Sequence, residues 1–227
     1  REQVAGGGAV ELAANHAQLK RAVYGSWRGM IAARVRHWLN GNSRSGSKRN
    51  IMAHYDLGND FYKLWLDPSM SYSSAVYREA DDGSLETAQH AKYRRILNCL
   101  KAAPGQNVLE IGCGWGGFAE MAVQEGLQTT GLTLSPAQLA WAQKRVPSAD
   151  LRLQDYRDLN EQFDHVVSIE MFEAVGERWW PTYFKTLAKA LKSEGRAVVQ
   201  SITIRDDIFP EYRRSTDFIQ QYIFPGG

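Results

Sequence analysis

The sequence has little cysteine and no long hydrophobic run. Two cysteines, Cys99 and Cys113, among 227 residues are too few for a disulfide framework or a cysteine-based zinc site. No stretch approaches the ~18 consecutive apolar residues of a membrane-spanning helix, and no secretory signal stands near the start. The five histidines do not cluster with cysteines or acids at metal-ligand spacing, so we predict no metal site. The scarcity of cysteine is compatible with a reducing cytosol.

The residues that are present have the composition of a soluble globular protein. Apolar residues make up 44% of the chain and charged residues 23%, which is too apolar for a disordered chain. The length suits one domain of ordinary size with a small appendage.

The charge is distributed unevenly along the chain. Residues 1–50 contain nine Lys or Arg and two acids, whereas the remainder contains 18 basic and 23 acidic residues. A basic segment joined to a mildly acidic body indicates an anionic partner, either a phospholipid surface or a nucleic acid. Because the positive charge lies outside the body, nucleic-acid modification is disfavoured and a membrane surface is favoured.

The basic segment is predicted to contain a helix over residues 9–40, because it lacks proline and repeats apolar residues at helical spacing. This helix either lies on a membrane surface or packs against its own domain. The Gly- and Ser-rich stretch 41–50 is predicted to be a linker. We therefore divide the chain into a basic helical arm with its linker (1–50) and a main domain (51–227). The apolar residues that can share one face of the arm are Val23, Trp27, Met30, Ile31, Val35, Trp38 and Leu39.

The main domain alternates strands and helices. The predicted strands are 107–111, 128–132, 151–153, 165–169 and 197–204. The predicted helices are 85–102, 118–125, one that begins at Ser135-Pro136, and 179–191. Strands separated by helices imply an α/β protein whose parallel sheet is covered on both faces and binds ligands at the carboxyl ends of the strands.

A glycine-rich loop joins the first predicted strand to the next helix. Gly112, Gly114 and Gly116 allow the backbone to approach a ligand, and the following helix offers free N–H groups. A dinucleotide site would place an acid at the end of the next strand, where this sequence has Thr133 and Leu134. The loop therefore favours S-adenosylmethionine (SAM) over NAD.

Five stretches of the main domain form recognisable motifs. They are NIMAHYDLGNDFY (50–62), LDPSMSYSSA (66–75), EIGCGWGG (110–117), GLTLSPAQ (131–138) and FIQQYIFPGG (218–227). Together they resemble the cyclopropane-fatty-acyl-phospholipid synthase family, from about residue 48 to residue 227. The resemblance implies a Rossmann-like SAM-methyltransferase fold, with a doubly wound, mostly parallel sheet and an N-terminal helical arm. Because the chain ends inside the last motif, we expect a methyltransferase domain truncated at its C-terminus.

The resemblance places one group of residues around SAM, with Gly112 and Gly114 beside its methionine and ribose part. Tyr72 and Ser73 would lie against the cofactor. Gly112 and Gly114 would let it approach the backbone, and Ile169 would form the floor of its site.

A second group is assigned to the nucleoside. Thr133, Leu134 and Gln138 match the ribose and adenosine contacts of the family, with Gln138 in place of the absent acid. Arg157 departs from the acidic residue of some relatives. The residues expected to flank the adenine are Asp155, Tyr156 and Arg157.

The resemblance also implies a reaction, in which the double bond of an unsaturated acyl chain attacks the sulfonium methyl group and loss of a proton closes a cyclopropane. In the family a bound bicarbonate takes that proton. Its ligands match Ser74, Glu173 and Gln200, which we therefore expect to be catalytic. Gln200 stands where well-known relatives have His, and this difference leaves a methyl- or methylene-branched product as an alternative.

We therefore expect a transferase of lipid biosynthesis that uses SAM and bicarbonate to form a cyclopropane fatty acid. Its partners would be an unsaturated phospholipid or fatty acyl substrate and a membrane surface, and the sequence allows a homo-oligomer. We expect it in the cytoplasm, peripheral at the inner membrane face. Beside the branched product, two further alternatives are a small-molecule methyltransferase and a non-catalytic fragment that binds SAM or lipid.

Overall fold

The computed structural model describes residues 46–47, 58–78 and 83–213. The predicted arm helix (9–40), most of the linker (41–50) and the motif at 218–227 lie outside the described residues. The division into an arm and a main domain therefore stays a prediction.

A parallel sheet of five strands forms the centre of the described part. The strands are β1 (Asn107–Ile111), β2 (Gln128–Thr133), β3 (Asp150–Leu153), β4 (Phe163–Ile169) and β5 (Leu191–Gln200). Their order across the sheet is β3-β2-β1-β4-β5, and each neighbouring pair is parallel. The chain winds outward from β1 to β3 and then returns to place β4 on the other side of β1. This reversal creates a crevice at the carboxyl ends of β1 and β4, where such sheets bind ligands.

The helices follow the predicted alternation with the strands. They are α1 (Asn59–Tyr62), α2 (Leu85–Leu100), α3 (Gly117–Gln124), α4 (Pro136–Arg145), α5 (Trp180–Ala190) and α6 (Phe209–Tyr212). Short 3₁₀ turns occur at Tyr156–Asp158, Phe172–Ala174 and Glu177–Trp179. The predicted start of α4 is confirmed, since the Ser135 hydroxyl accepts a hydrogen bond from the Gln138 N–H (3.3 Å) and Pro136 occupies the first turn.

Successive residues of β1 pack on opposite faces of the sheet. Val108 lies in a buried cluster with Phe118 of α3, whereas Leu109 lies in a second cluster with Tyr183 and Leu187 of α5. Each such side chain contributes roughly 1.5–3 kcal/mol when it is fully buried. The predicted covering of both sheet faces is therefore confirmed, and it explains why neighbouring residues of β1, Val108 and Leu109, are both apolar.

The last strand differs from the sequence-based prediction, which was wrong at both ends. The predicted strand 197–204 is observed as β5, which ends at Gln200. Since Gln200 pairs with Ile169, the last residue of β4, the chain beyond it has no further β4 backbone to pair with. The Ile202 N–H donates instead to the Glu173 carboxylate. Gln200 thereby lies at the carboxyl edge of the sheet.

Candidate active site

A cleft opens at the carboxyl ends of β1, β2 and β4. It brings together every residue that the sequence analysis assigned to the cofactor. Those lining residues are Tyr72, Ser73, Gly112, Gly114, Thr133, Leu134, Gln138, Asp155, Tyr156, Arg157 and Ile169. Their convergence on one cleft supports a shared ligand, while the contact that each would make stays a prediction.

The glycine loop (112–117) forms one wall of the cleft. The N–H groups of Gly112 and Cys113 both donate to the Leu132 carbonyl at 2.9 Å, which fixes the loop against β2. Gly112 and Gly114 have φ angles of 85° and 52°, in the left-handed region that favours glycine. A Cβ on Gly112 would lie 3.1 Å from the Met171 side chain, whereas one on Gly114 would meet no atom within 4 Å. The loop therefore leaves open space beside its backbone, as a closely bound ligand requires.

A buried amide, that of Gln138, lines the part of the cleft that is predicted to bind the ribose. The Thr133 hydroxyl donates to the Gln138 side-chain oxygen at 3.0 Å. Gln138 is 3% exposed, and its Nε2 has no hydrogen-bond partner in the described part of the chain. Because an unpaired buried donor costs roughly 1–3 kcal/mol, an oxygen-bearing ligand would stabilise this arrangement. A ribose hydroxyl fits that requirement.

A buried ion pair lies in the part of the cleft that is predicted to flank the adenine. Arg157 donates to Asp155 through Nε (2.9 Å) and a terminal nitrogen (2.6 Å), and both side chains are less than 10% exposed. The guanidinium carbon lies 5.6 Å from the Tyr156 ring centroid and 5.8 Å from that of Trp179. Another hydrogen bond from Arg157 reaches the Ser47 hydroxyl at 3.1 Å. Arg157 thus neutralises Asp155 and holds Tyr156 in place.

Aromatic side chains pack segment 58–78 over the glycine loop. The Tyr62 ring centroid lies 5.6 Å from that of Tyr72 and 5.0 Å from that of Trp115. The Trp115 indole N–H donates to the Asn59 side chain at 2.8 Å. Burial, and next the Glu170 carboxylate, raise the pKa of Tyr72. The Tyr72 phenol in the cleft wall is therefore less acidic than that of a free tyrosine.

Lys92 of α2 is a buried cation that the sequence analysis missed. Its Nζ donates to the Ser73 hydroxyl and to the Gln89 side-chain oxygen, each at 2.5 Å. Burial lowers the pKa of Lys92 to about 8, and it raises the pKa of the fully buried Glu110 carboxyl to about 8. A lone lysine on the apolar face of a predicted amphipathic helix was the signal that could have identified Lys92.

The Ser74 and Gln200 side chains both contact the carboxylate of Glu170, a residue that was given no role from the sequence. The Ser74 N–H donates to Glu170 Oε1 at 2.9 Å, and the Ser74 hydroxyl donates to the same atom. Gln200 Nε2 also donates to Glu170 Oε1 at 2.9 Å and lies 3.3 Å from the Ser74 hydroxyl. The sequence analysis did not identify Glu170 as a site residue. Its position directly after the last residue of β4 could have identified it, because ligands bind at the carboxyl ends of parallel strands.

The Glu173 carboxylate has different hydrogen-bond partners. Its carboxylate accepts hydrogen bonds from the Ser201 hydroxyl (2.9 Å) and from the Ile202 N–H. Within residues 58–78 and 83–213, no hydrogen bond joins Glu173 to Ser74 or Gln200. Ser74 and Gln200 thus share the Glu170 carboxylate, and the expectation that Ser74, Glu173 and Gln200 bind one bicarbonate stays a prediction. A catalytic role for Glu173 stays a prediction.

In residues 46–47, 58–78 and 83–213, no group of three or more His, Cys, Asp or Glu side chains could hold a metal ion. No helix there combines the length and apolar character needed to cross a bilayer.

The strand order, the glycine loop and the cleft define the Rossmann-like fold of class I methyltransferases, and solved structures agree. The mycolic acid cyclopropane synthase CmaA1, complexed with SAH and CTAB, is 33% identical with a TM-score of 0.72. That match covers 79% of this chain and 68% of the CmaA1 chain. The family model described as mycolic acid cyclopropane synthetase matches residues 42–227. The chain belongs to this family, which confirms the predicted family and fold.

Relatives of known name support the same membership. Cyclopropane-fatty-acyl-phospholipid synthase of Escherichia coli K12 is 44% identical over 178 residues, which are 77% of this chain and 45% of the relative. Tuberculostearic acid methyltransferase of Mycobacterium tuberculosis is 39% identical over 198 residues, which are 82% of this chain and 46% of the relative. The chain thus spans about half the length of these relatives.

Proposed function

We propose that this protein transfers a methyl group from SAM to the double bond of an unsaturated acyl chain in a phospholipid and forms a cyclopropane fatty acid. The observation that carries this proposal is the convergence of all eleven expected cofactor residues on one cleft. The names of the relatives support the lipid substrate, and the SAH in the CmaA1 complex supports the cofactor.

The residues of the cleft suit SAM. The unpaired Gln138 amide would donate to a ribose hydroxyl, and Tyr156 offers an aromatic face to the adenine. Open space beside Gly114 allows close approach to the backbone. When bound, SAM supplies an electrophilic methyl group.

The chemistry requires positioning more than activation of a nucleophile. An alkene presents its π-electrons without prior deprotonation, so the chain must align the acyl double bond and exclude water. The aromatic packing of Tyr62, Tyr72 and Trp115 supplies an apolar wall beside the cleft. The remaining requirement is a group that accepts the proton released during ring closure.

We also propose that the protein works at a membrane surface, where its substrate resides. Phe61, Leu64 and Trp65 are 43%, 82% and 47% exposed, and they belong to the same segment as the aromatic wall. Exposed apolar side chains of this kind insert into the acyl boundary of a bilayer. The basic arm adds attraction to anionic lipid. A cytoplasmic location and a homo-oligomer stay predictions.

The test is the fatty-acid composition of bacteria that are rich in monounsaturated phospholipid and lack their own cyclopropane synthase. The full-length protein is compared with Gly114→Ala and with Gly105→Ala as a matched control. Both glycines have positive φ angles and would place a Cβ in open space, but only Gly114 lines the cleft. We expect a cyclopropane product from the parent and the control, and a strong loss in Gly114→Ala.

Other products would redirect the proposal. A methyl- or methylene-branched fatty acid would still support SAM as the methyl donor and a lipid as the substrate. It would show that a different proton is lost after methyl transfer. SAM binding without any new fatty acid would contradict the proposal and favour a small-molecule methyltransferase or a non-catalytic fragment.

A further inference from the structure

The Glu170 carboxylate is held by the groups that the family resemblance assigns to bicarbonate. The Ser74 N–H, the Ser74 hydroxyl and the Gln200 amide all donate to its Oε1 atom. A bound bicarbonate would compete for these same donors and would be repelled by the adjacent carboxylate. Ser74 and Gln200 therefore do not fit bicarbonate while Glu170 occupies this place.

The backbone at Glu170 supports a dedicated role. Its φ angle is 46°, which is uncommon for a residue other than glycine, and such conformations concentrate at functional sites. The Glu170 N–H donates to the Gln200 carbonyl at 2.9 Å. Gln200 therefore fixes both the main chain and the side chain of Glu170.

The hydrogen bonds of the Glu170 side chain leave its second oxygen without a donor from the described residues. Glu170 lines the cleft beside Ile169 and Met171. All three hydrogen bonds converge on Oε1, and the described residues donate none to Oε2. A carboxylate with one anchored oxygen and one unpaired oxygen has the form of a positioned proton acceptor.

We propose that Glu170 is the proton acceptor of the reaction and replaces bicarbonate with a carboxylate of the chain itself. This inference rests on the proposed function. The alkene π-electrons form a bond to the methyl carbon while its bond to sulfur breaks, leaving S-adenosylhomocysteine and an acyl carbocation. A proton of the added carbon then passes to Glu170, and the electron pair of that C–H bond closes the ring.

The experiment compares the full-length protein with Glu170→Gly in buffer freed of carbon dioxide. Glycine adopts the backbone conformation of residue 170 without strain, and SAM binding by calorimetry verifies that the variant is folded. We expect methyl transfer by the parent to be independent of added bicarbonate. The variant should lose activity by about 100-fold or more, as for removal of a general base, and regain part of it when bicarbonate is added. Glu194→Gln, an exposed carboxylate of β5, is the matched control and should behave like the parent.

A binding measurement separates this inference from the proposed function. Carbon-13 NMR of labelled bicarbonate should show binding to Glu170→Gly but not to the parent, whether or not either turns over lipid. Two results would overturn the inference about Glu170. One is binding of bicarbonate to the parent, or dependence of the parent on it; the other is full activity of both Glu170→Gly and Glu170→Gln without bicarbonate.

A different result would overturn the proposed function, namely the absence of methyl transfer from SAM to lipid in every protein. The bicarbonate-binding measurement would then still decide whether Glu170 takes the place of the anion.

Discussion

The Nζ atom of Lys92 lies 2.5 Å from the hydroxyl oxygen of Ser73, so a buried ammonium on α2 holds the chain segment that forms a wall of the cleft. Gln89 reinforces this contact, because its amide donates to the Ser73 carbonyl at 2.8 Å. The position of Ser73 is therefore set from two directions by one helix.

Replacement of Lys92 by methionine should weaken SAM binding. The variant keeps an unbranched side chain but removes the charged donor to Ser73, a contact of the kind that contributes about 1.5–3 kcal/mol. We expect the Kd for SAM to rise by about tenfold, measured by calorimetry. Lys185→Met, which alters an exposed lysine of α5, is the control. An unchanged Kd in Lys92→Met would show that the contact does not shape the cofactor site.

Stability should fall as the pH rises from about 5 to 7.5, through Glu110. Burial raises the pKa of this carboxyl from 4.5 to about 8, so the folded state keeps a proton that the unfolded state releases. This contribution to the free energy of unfolding is complete below the pKa of Glu110 in the unfolded state. It is lost as the pH rises toward and through the pKa of Glu110 in the folded state, by up to about 1.4 kcal/mol per pH unit. Lys92 is protonated in both states over this range, so it adds little.

Glu110→Gln isolates this effect, because the amide keeps the shape of the carboxyl but does not titrate. The unfolding free energy, measured with urea at several pH values, should decline less steeply in the variant than in the parent. The lowered pKa of His165 affects both proteins equally and cancels in their difference. Parallel pH profiles would rule out a raised pKa for Glu110.

Gln138→Leu should weaken binding of SAM and of S-adenosylhomocysteine equally, since both carry the same ribose. The substitution removes the only buried amide donor that we assign to the ribose and leaves the Thr133 hydroxyl without its acceptor. We expect the Kd of both ligands to rise by about tenfold, and Gln124→Leu on the exposed face of α3 to leave them unchanged. A loss confined to SAM would place Gln138 near the sulfonium instead of the ribose.

Leu64→Glu should reduce binding to vesicles of anionic phospholipid. Leu64 is 82% exposed, and transfer of a leucine into an apolar environment contributes roughly 1.5–3 kcal/mol, so we expect binding to fall by about tenfold. Leu85→Glu, at the exposed start of α2, provides the control in a sedimentation assay. Equal binding of both variants and the parent would exclude this surface. Steep loss of binding with added salt would indicate a further contribution from basic residues.

Local sequence determined the elements of the fold. The Ser135-Pro136 pair specifies the start of α4, and the apolar run of β1 specifies a strand buried on both faces. Such signals act between residues that are close in the chain, so they can be identified without tertiary information. The strand-loop-helix order also predicted the cleft, because parallel strands direct their carboxyl ends to one edge.

Tertiary structure alone decided which side chains meet. Ser74 and Gln200 lie 126 residues apart, and the end of β5 is set by where β4 ends, not by its own apolar run. Glu170 and Glu173 are both acids near the end of β4, and the sequence does not show which of them contacts Ser74. Only the left-handed backbone at Glu170 turns its carboxylate toward Ser74, while the following 3₁₀ turn carries Glu173 toward Ile202. A three-residue difference in sequence thus becomes a different set of hydrogen-bond partners, because the direction of a side chain depends on backbone dihedral angles and on packing across the sheet.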